Sequence, residues 1–152
     1  MGPEITTRII DIEDAIYPQV YDLREEILRK PIGLSLNDED LSEDANDDIV
    51  VAELNGNVQG CIMLKKTTNP GIIKFRQMAV QQNVQRSGVG KVIMGAAEAH
   101  AWNMGYSKIT LHARITAEDF YKRLGYTTVS DVFTEVGIPH VVMEKQKPDG
   151  EK

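Results

Sequence analysis

Cysteine is nearly absent from this 152-residue chain, and Cys61 alone excludes an intrachain disulfide and a multi-cysteine zinc site. Set in the apolar stretch Gly-Cys-Ile-Met-Leu, its thiol is expected to be buried and structural, the alternative being a lone nucleophile. Long apolar runs are missing too. None approaches the roughly 20 residues that cross a bilayer, and MGPEITTRII lacks the basic start and apolar stretch of a secretory signal. A soluble, cytoplasmic chain with no membrane partner is expected. Positive charge is also scarce: 17 Lys and Arg stand against 23 Asp and Glu, a formal charge of −6. A phosphate-backbone binder leans the other way, so no nucleic-acid partner is expected. No internal repeat is present.

What remains is an ordinary globular composition, 41% hydrophobic and 26% charged. The length fits one domain, read as residues 1–145 with a polar tail at 146–152. Ile5 to Ile12 is rich in β-branched residues and predicts a strand. From Ala15 to Arg29, Ile16, Val20, Leu23, Ile27 and Leu28 recur at helical spacing, with Pro18 in the first turn, until Pro31 and Gly33. Two β-rich runs then flank Asn55-Gly56-Asn57, a strong hairpin signal, and a third, Ile72 to Val80, follows Asn69-Pro70-Gly71. Val89, Val92, Ile93, Ala96, Ala97 and Met104 fall on one helical face that Gly105 stops, and His100 continues that face as a packing residue. A strand (Lys108 to His112), a helix (Ala117 to Leu124) and strands around Thr127 to Phe133 and His140 to Lys145 follow. This order reads as α+β.

Asn37 to Asp48, NDEDLSEDANDD, is almost wholly polar and acidic. It is expected to be a solvated loop or a short frayed helix, the alternative being a segment that attracts a cationic substrate. An EF-hand is excluded, because neither the turn glycine nor the terminal Glu stands at the required offset from Asp38.

The most informative stretch is Val80 to Lys91, VQQNVQRSGVGK, which joins a strand to the long amphipathic helix. Glycines there let backbone approach a ligand, and the free N–H groups of a first helical turn prefer an anion. A P-loop needs Gly at Gln85 and Ser or Thr at Val92, and a dinucleotide fingerprint needs Gly at Ile93, so both fail. The pattern that remains is Gln-x-x-Gly-x-Gly, from Gln85 to Gly90.

This loop resembles the acyl-CoA pyrophosphate loop of the GNAT superfamily of N-acetyltransferases. The second helix adds that family's Tyr-x-x-x-Gly-aromatic signature, Tyr121-Lys122-Arg123-Leu124-Gly125-Tyr126, and Phe133 to His140 looks like the small ElaA-like and YjcF-like branch. The resemblance spans about Ile49 to Lys145. It implies a single GNAT-like domain with a central, mostly antiparallel sheet, splayed near its middle and flanked by helices. Acetyl-CoA as cosubstrate would enter the split, pairing with the backbone of Met78, Ala79 and Val80. Gln85, Arg86, Ser87, Gly88, Val89, Gly90 and Lys91 would hold its pyrophosphate. Arg114 stands where many relatives have a cofactor-positioning Asn.

The implied activity is direct acetyl transfer to an amine of a small molecule or an exposed protein amine. The implied partners are acetyl-CoA, an acceptor chosen by the region Tyr17 to Asn46, and, as in many relatives, a second copy in a homodimer. Tyr121 corresponds to the residue that protonates the leaving thiolate. Many relatives use a strand Glu as base, but Lys74 stands there, which leaves His112, Glu135 and His140 as candidates. The missing Glu also leaves open a non-catalytic acyl-CoA-binding sensor.

Overall fold

The computed structural model describes residues 5–85 and 87–149. Asn55 and Gly56 have φ of 53° and 80°, the pair of positive angles that a two-residue hairpin turn requires. They join β2 (Asp48–Leu54) to β3 (Asn57–Lys66), and β4 (Ile72–Val80) completes an antiparallel meander bordered by β1 (Thr6–Ile10). Then come α2 (Val89–Asn103), β5 (Lys108–Arg114), α3 (Glu118–Arg123), β6 (Thr127–Thr128), β7 (Phe133–Glu135) and β8 (Ile138–Gln146), while α1 (Tyr17–Arg24) lies between β1 and β2. The eight-stranded sheet has the order β1-β2-β3-β4-β5-β8-β6, with β7 paired to β8. Only β4 and β5 run parallel, so the α+β, mostly antiparallel architecture expected from the sequence is present.

The sheet is covered on both faces, which is why β2 and β3 read as nearly continuous apolar runs. Val50, Ala52, Ile62 and Leu64 pack with Ile93, Ala97 and Tyr121 on the α2 side. Ile49, Val51, Cys61 and Met63 pack with Val20 and Leu23 on the α1 side. Burying each large apolar side chain contributes roughly 1.5–3 kcal/mol. Burial also pushes the Cys61 thiol up to about 12, so it is a structural thiol and no nucleophile. Among the described residues no helix is long and apolar enough to cross a membrane.

Several local expectations are corrected. The α-helix ends at Arg24, and the chain widens into a π turn over Glu25–Arg29 and a 3-10 turn over Lys30–Ile32. An i→i+5 turn stacks residues five apart, which carries Arg29 to the buried side that Arg24 occupies. On α2 the buried stripe follows i+4 spacing through Val89, Ile93, Ala97 and Ala101, leaving Val92 and Met104 beside it, 44% and 43% exposed. His100 is half-buried with Nε2 at 3.0 Å from Asp48. Thr127 to Phe133 is interrupted rather than one strand, because the Ser130 hydroxyl accepts the Val142 N–H and takes over a ladder position.

The acidic segment is mostly exposed, as expected, but not throughout. It winds through short 3-10 turns at Leu36–Asp38 and Ser42–Asn46 and buries Asp44 and Asp47. The reason is charge pairing. Arg24 donates to Asp44 at 3.1 Å, and Arg76 pairs with Asp44 and, at 3.0 Å, with Asp47. Glu39 accepts from Arg29, Glu43 from Lys65, and Asp48 meets His100.

Candidate active site

Two features of β4 open the centre of the sheet. Between the pairs Cys61↔Ala79 and Met63↔Arg76, β4 carries one extra residue, and Gln77 there has φ of 57°. A bulge reverses the alternation of a strand. Ile73 and Phe75 face the α2 side before it, whereas Met78 and Val80 face that side after it. The parallel ladder with β5 ends at Phe75↔Leu111. Past that point the β5-facing edge of Met78, Ala79 and Val80 has no strand partner among the described residues.

The split leads to the start of α2. Gly88 is the N-cap residue with φ of 90° and no side chain caps the helix, leaving the first N–H groups open. Ser87 turns its hydroxyl back to the Val84 carbonyl instead, and the Gln85 amide donates to the Val80 carbonyl at 3.1 Å. A Cβ on Gly90 would meet the Met78 and Phe120 side chains at 3.1 and 3.3 Å, so glycine lets this turn sit tight against β4 and α3. Val89 is buried and Lys91 exposed, while Arg86 lies outside the described residues.

Tyr121, carried on α3, forms the floor between these parts. Its hydroxyl donates to the Met78 sulfur at 3.4 Å, and its ring meets Phe120 and Tyr126 edge-on. Burial pushes the phenol up to about 12. A phenol raised in this way keeps its proton and serves as a hydrogen-bond donor, as it does to Met78.

A cavity of about 290 Å³ extends from Tyr121 and Met78 to the α1 side, where His112, Glu135 and His140 line it. His112 is thus brought to Glu135 and His140, more than 20 residues further along the chain. His112 Nδ1 lies 2.8 Å from Glu135 Oε1, and His140 Nε2 lies 3.8 Å from Oε2. Phe133 is wedged between the imidazoles, with centroid distances of 5.2 and 6.0 Å. Facing an ionised carboxylate, His112 Nδ1 carries the proton, so the neutral ring has its lone pair on Nε2. His140 Nδ1 donates to the Ile138 carbonyl at 2.8 Å, which turns its Nε2 toward Glu135. Partial burial raises the Glu135 carboxyl, but the His112 hydrogen bond and the charges of His112, His140 and Lys74 outweigh it and hold the group below the usual range.

The Acetyltransferase (GNAT) domain family matches residues 22–147. The chain belongs to the GNAT acetyltransferase family. The uncharacterized N-acetyltransferase YjcF of Bacillus subtilis (strain 168) is 32% identical over 136 residues, 88% of this chain and 91% of YjcF. Two further B. subtilis relatives, YyaT among them, match at 40% and 34% identity over 73 residues each, so the chain spans about half the length of those relatives. Escherichia coli ElaA shares the fold with a TM-score of 0.83 at 16% identity, covering 94% of this chain and all of ElaA. A GNAT family acetyltransferase from Elizabethkingia anophelis with acetyl-CoA bound superimposes with a TM-score of 0.70 at 18% identity, over 94% of this chain and 98% of its own.

Within this GNAT fold some cavity residues escape a motif reading. Arg29, Arg76, Gln77 and Phe133 line or shape the site through the π turn, the bulge and β7. The legible hint was period two: Lys74 and Arg76 on β4, and His112 and Arg114 on β5, alternate with buried Ile73, Phe75, Leu111 and Ala113. Arg114 donates to the Leu28 carbonyl at 3.1 Å, on the α1 side of the cavity.

Proposed function

We propose that this chain is an acetyl-CoA-dependent N-acetyltransferase that moves an acetyl group directly to an amine, with residues 1–145 as the acting domain. The observation that carries the reading is the His112–Glu135–His140 cluster, opening on a cavity that reaches Tyr121 through the split. The acetyl-CoA seen with the E. anophelis relative supports the same ligand here. So does the fit of the residues present: an unpaired strand edge at Met78, Ala79 and Val80 beside an uncapped helix start. Gln85, Arg86, Ser87, Gly88, Val89, Gly90 and Lys91 form the proposed pyrophosphate loop, Arg86 from the sequence motif alone.

When bound, acetyl-CoA supplies an acetyl thioester. The residues of this chain manage protons around it. Glu135 fixes the His112 tautomer, and His112 Nε2 takes a proton from the acceptor ammonium, making the amine nucleophilic. His140 stands 3.8 Å from the other Glu135 oxygen, close enough to bias its charge but too far to hydrogen-bond it. Tyr121 offers its O–H to sulfur, as it does to Met78. Lys74, half-buried and pressed toward neutrality by that burial, replaces the strand carboxylate of many relatives.

The test is CoA release from acetyl-CoA over a panel of amines. His112→Gln is expected to lower kcat by about 10²–10⁴ with KM for acetyl-CoA maintained. An unchanged kcat would overturn the role of His112. Binding of acetyl-CoA without release to any amine would favour the sensor reading.

A further inference from the structure

The α1 side of the cavity is lined by cations. Lys74 and Arg76 come from β4, Arg114 from β5 and Arg29 from the π turn, and Glu135 is the one carboxylate on the lining among the described residues. Two of these four charges are answered from behind: Arg76 by Asp44 and Asp47, Arg29 by Glu39 at 2.6 Å. Arg114 has no carboxylate partner among the described residues, and Lys74 makes no hydrogen bond there.

Arg114 is also held against a like charge. Its guanidinium and that of Arg29 donate to the same oxygen, the Leu28 carbonyl, at 3.1 and 3.2 Å. Of these two converging guanidinium groups Arg29 has Glu39, whereas Arg114 has no carboxylate partner among the described residues, which leaves Arg114 open to an anion. Burial, and then the charge of Arg29, both press on the charged form of Arg114. A carboxylate is the matching ligand, since the planar fork binds it bidentately. Arg114 stands two residues beyond His112 on the same face of β5, roughly 6.6 Å along the strand. That short span suits a small molecule with amine and carboxylate only a few bonds apart. In the acidic segment Glu39, Glu43, Asp44, Asp47 and Asp48 are paired within the fold, and the exposed Asp38 and Asp40 do not line the cavity.

We propose that the acceptor is a small amine carrying a carboxylate, an amino acid in the chemical sense, with the carboxylate held by Arg114 beside Arg29 and the amine turned to His112. This rests on the N-acetyltransferase reading and narrows it by excluding polyamines as preferred acceptors.

The test uses matched acceptors on the whole protein: amino acids, their carboxamides, their decarboxylated amines, and an amine bearing a phosphate monoester. Wild-type kcat/KM is expected to favour the acids over the carboxamides by about tenfold or more, chiefly through KM. Arg114→Gln should collapse that ratio while KM for acetyl-CoA stays within about twofold, and Arg114→Lys should restore part of it. Equal use of acids and carboxamides by the wild type, which needs no variant, would overturn the inference and leave acetyl transfer standing. A preference for the phosphate amine would overturn the carboxylate assignment, and a raised KM for acetyl-CoA in Arg114→Gln would move Arg114 to the cofactor. Absence of CoA release with every amine would remove the reaction and this inference with it.

Discussion

On the α2 side of the split, the groups offered to a ligand are backbone amides and carbonyls set by Gly88, Gly90 and the bulge at Gln77. On the α1 side they are long charged side chains set by ion pairs, with Arg24, Asp44, Arg76 and Asp47 beneath Arg29, Arg114 and the imidazoles. The first construction suits a ligand that every member of a family shares, because backbone geometry depends little on side-chain identity. The second suits the partner that differs between members, because exchanging one arginine changes what the pocket accepts.

The sharpest way to break the α1 side alone is Asp44→Ala. Arg24 is 1% exposed and would keep only Gln77 and Tyr17, while Arg76 would keep Asp47. Removing one partner of a buried pair costs roughly 3–5 kcal/mol, and chemical denaturation should register a loss of that order. A loss below about 1 kcal/mol would mean that the network is solvated in solution.

On the α2 side the corresponding change is Gly88→Val. A Cβ there meets nothing within 4 Å, so the cost comes from a β-branched residue at φ of 90°, roughly 1–3 kcal/mol. The expected signature is a moderate loss of stability joined to weaker stabilisation by acetyl-CoA. Unaltered acetyl-CoA stabilisation would argue that the loop conformation is irrelevant to the ligand.

This contrast also explains what was legible in the sequence. Turn glycines, the Asn55-Gly56 hairpin and the Tyr121 signature are local chemistry, so strands, long helix and glycine loop were readable with their order. His112, Glu135 and His140 were readable as candidates by residue type, but their meeting depends on the register His112↔Val142 and Phe133↔His140. The acidic segment was legible as mostly exposed, but the burial of Asp44 and Asp47 was not, because carboxylates look solvated until the arginines that face them are known. The π turn at Glu25–Arg29 left no mark, since its apolar spacing is that of a plain helix.

A separate effect concerns pH. Cys61 and Tyr121 are each pushed up to about 12 by burial, while in the unfolded chain they ionise near 8.5 and 10. The folded state therefore keeps protons that the unfolded state gives up. Stability present below about pH 8.5 should decline as pH rises toward 12. Denaturation midpoints at pH 8 and pH 10.5 check the sign, and native Cys61 should resist maleimide at pH 8 until the protein unfolds. Fast labelling of the folded protein would contradict the burial.

The most direct test of the two-sided site is thermal stability with acetyl-CoA, using an adenine nucleotide as control, in the wild type and in Arg114→Gln. Ligand at about 100 times its Kd adds roughly 2.7 kcal/mol, a shift of several degrees for a domain of this size. The division predicts that shift in both proteins, well beyond the control. No shift in the wild type would contradict acetyl-CoA as the ligand of the split, and a shift lost in Arg114→Gln would contradict the separation of its two sides.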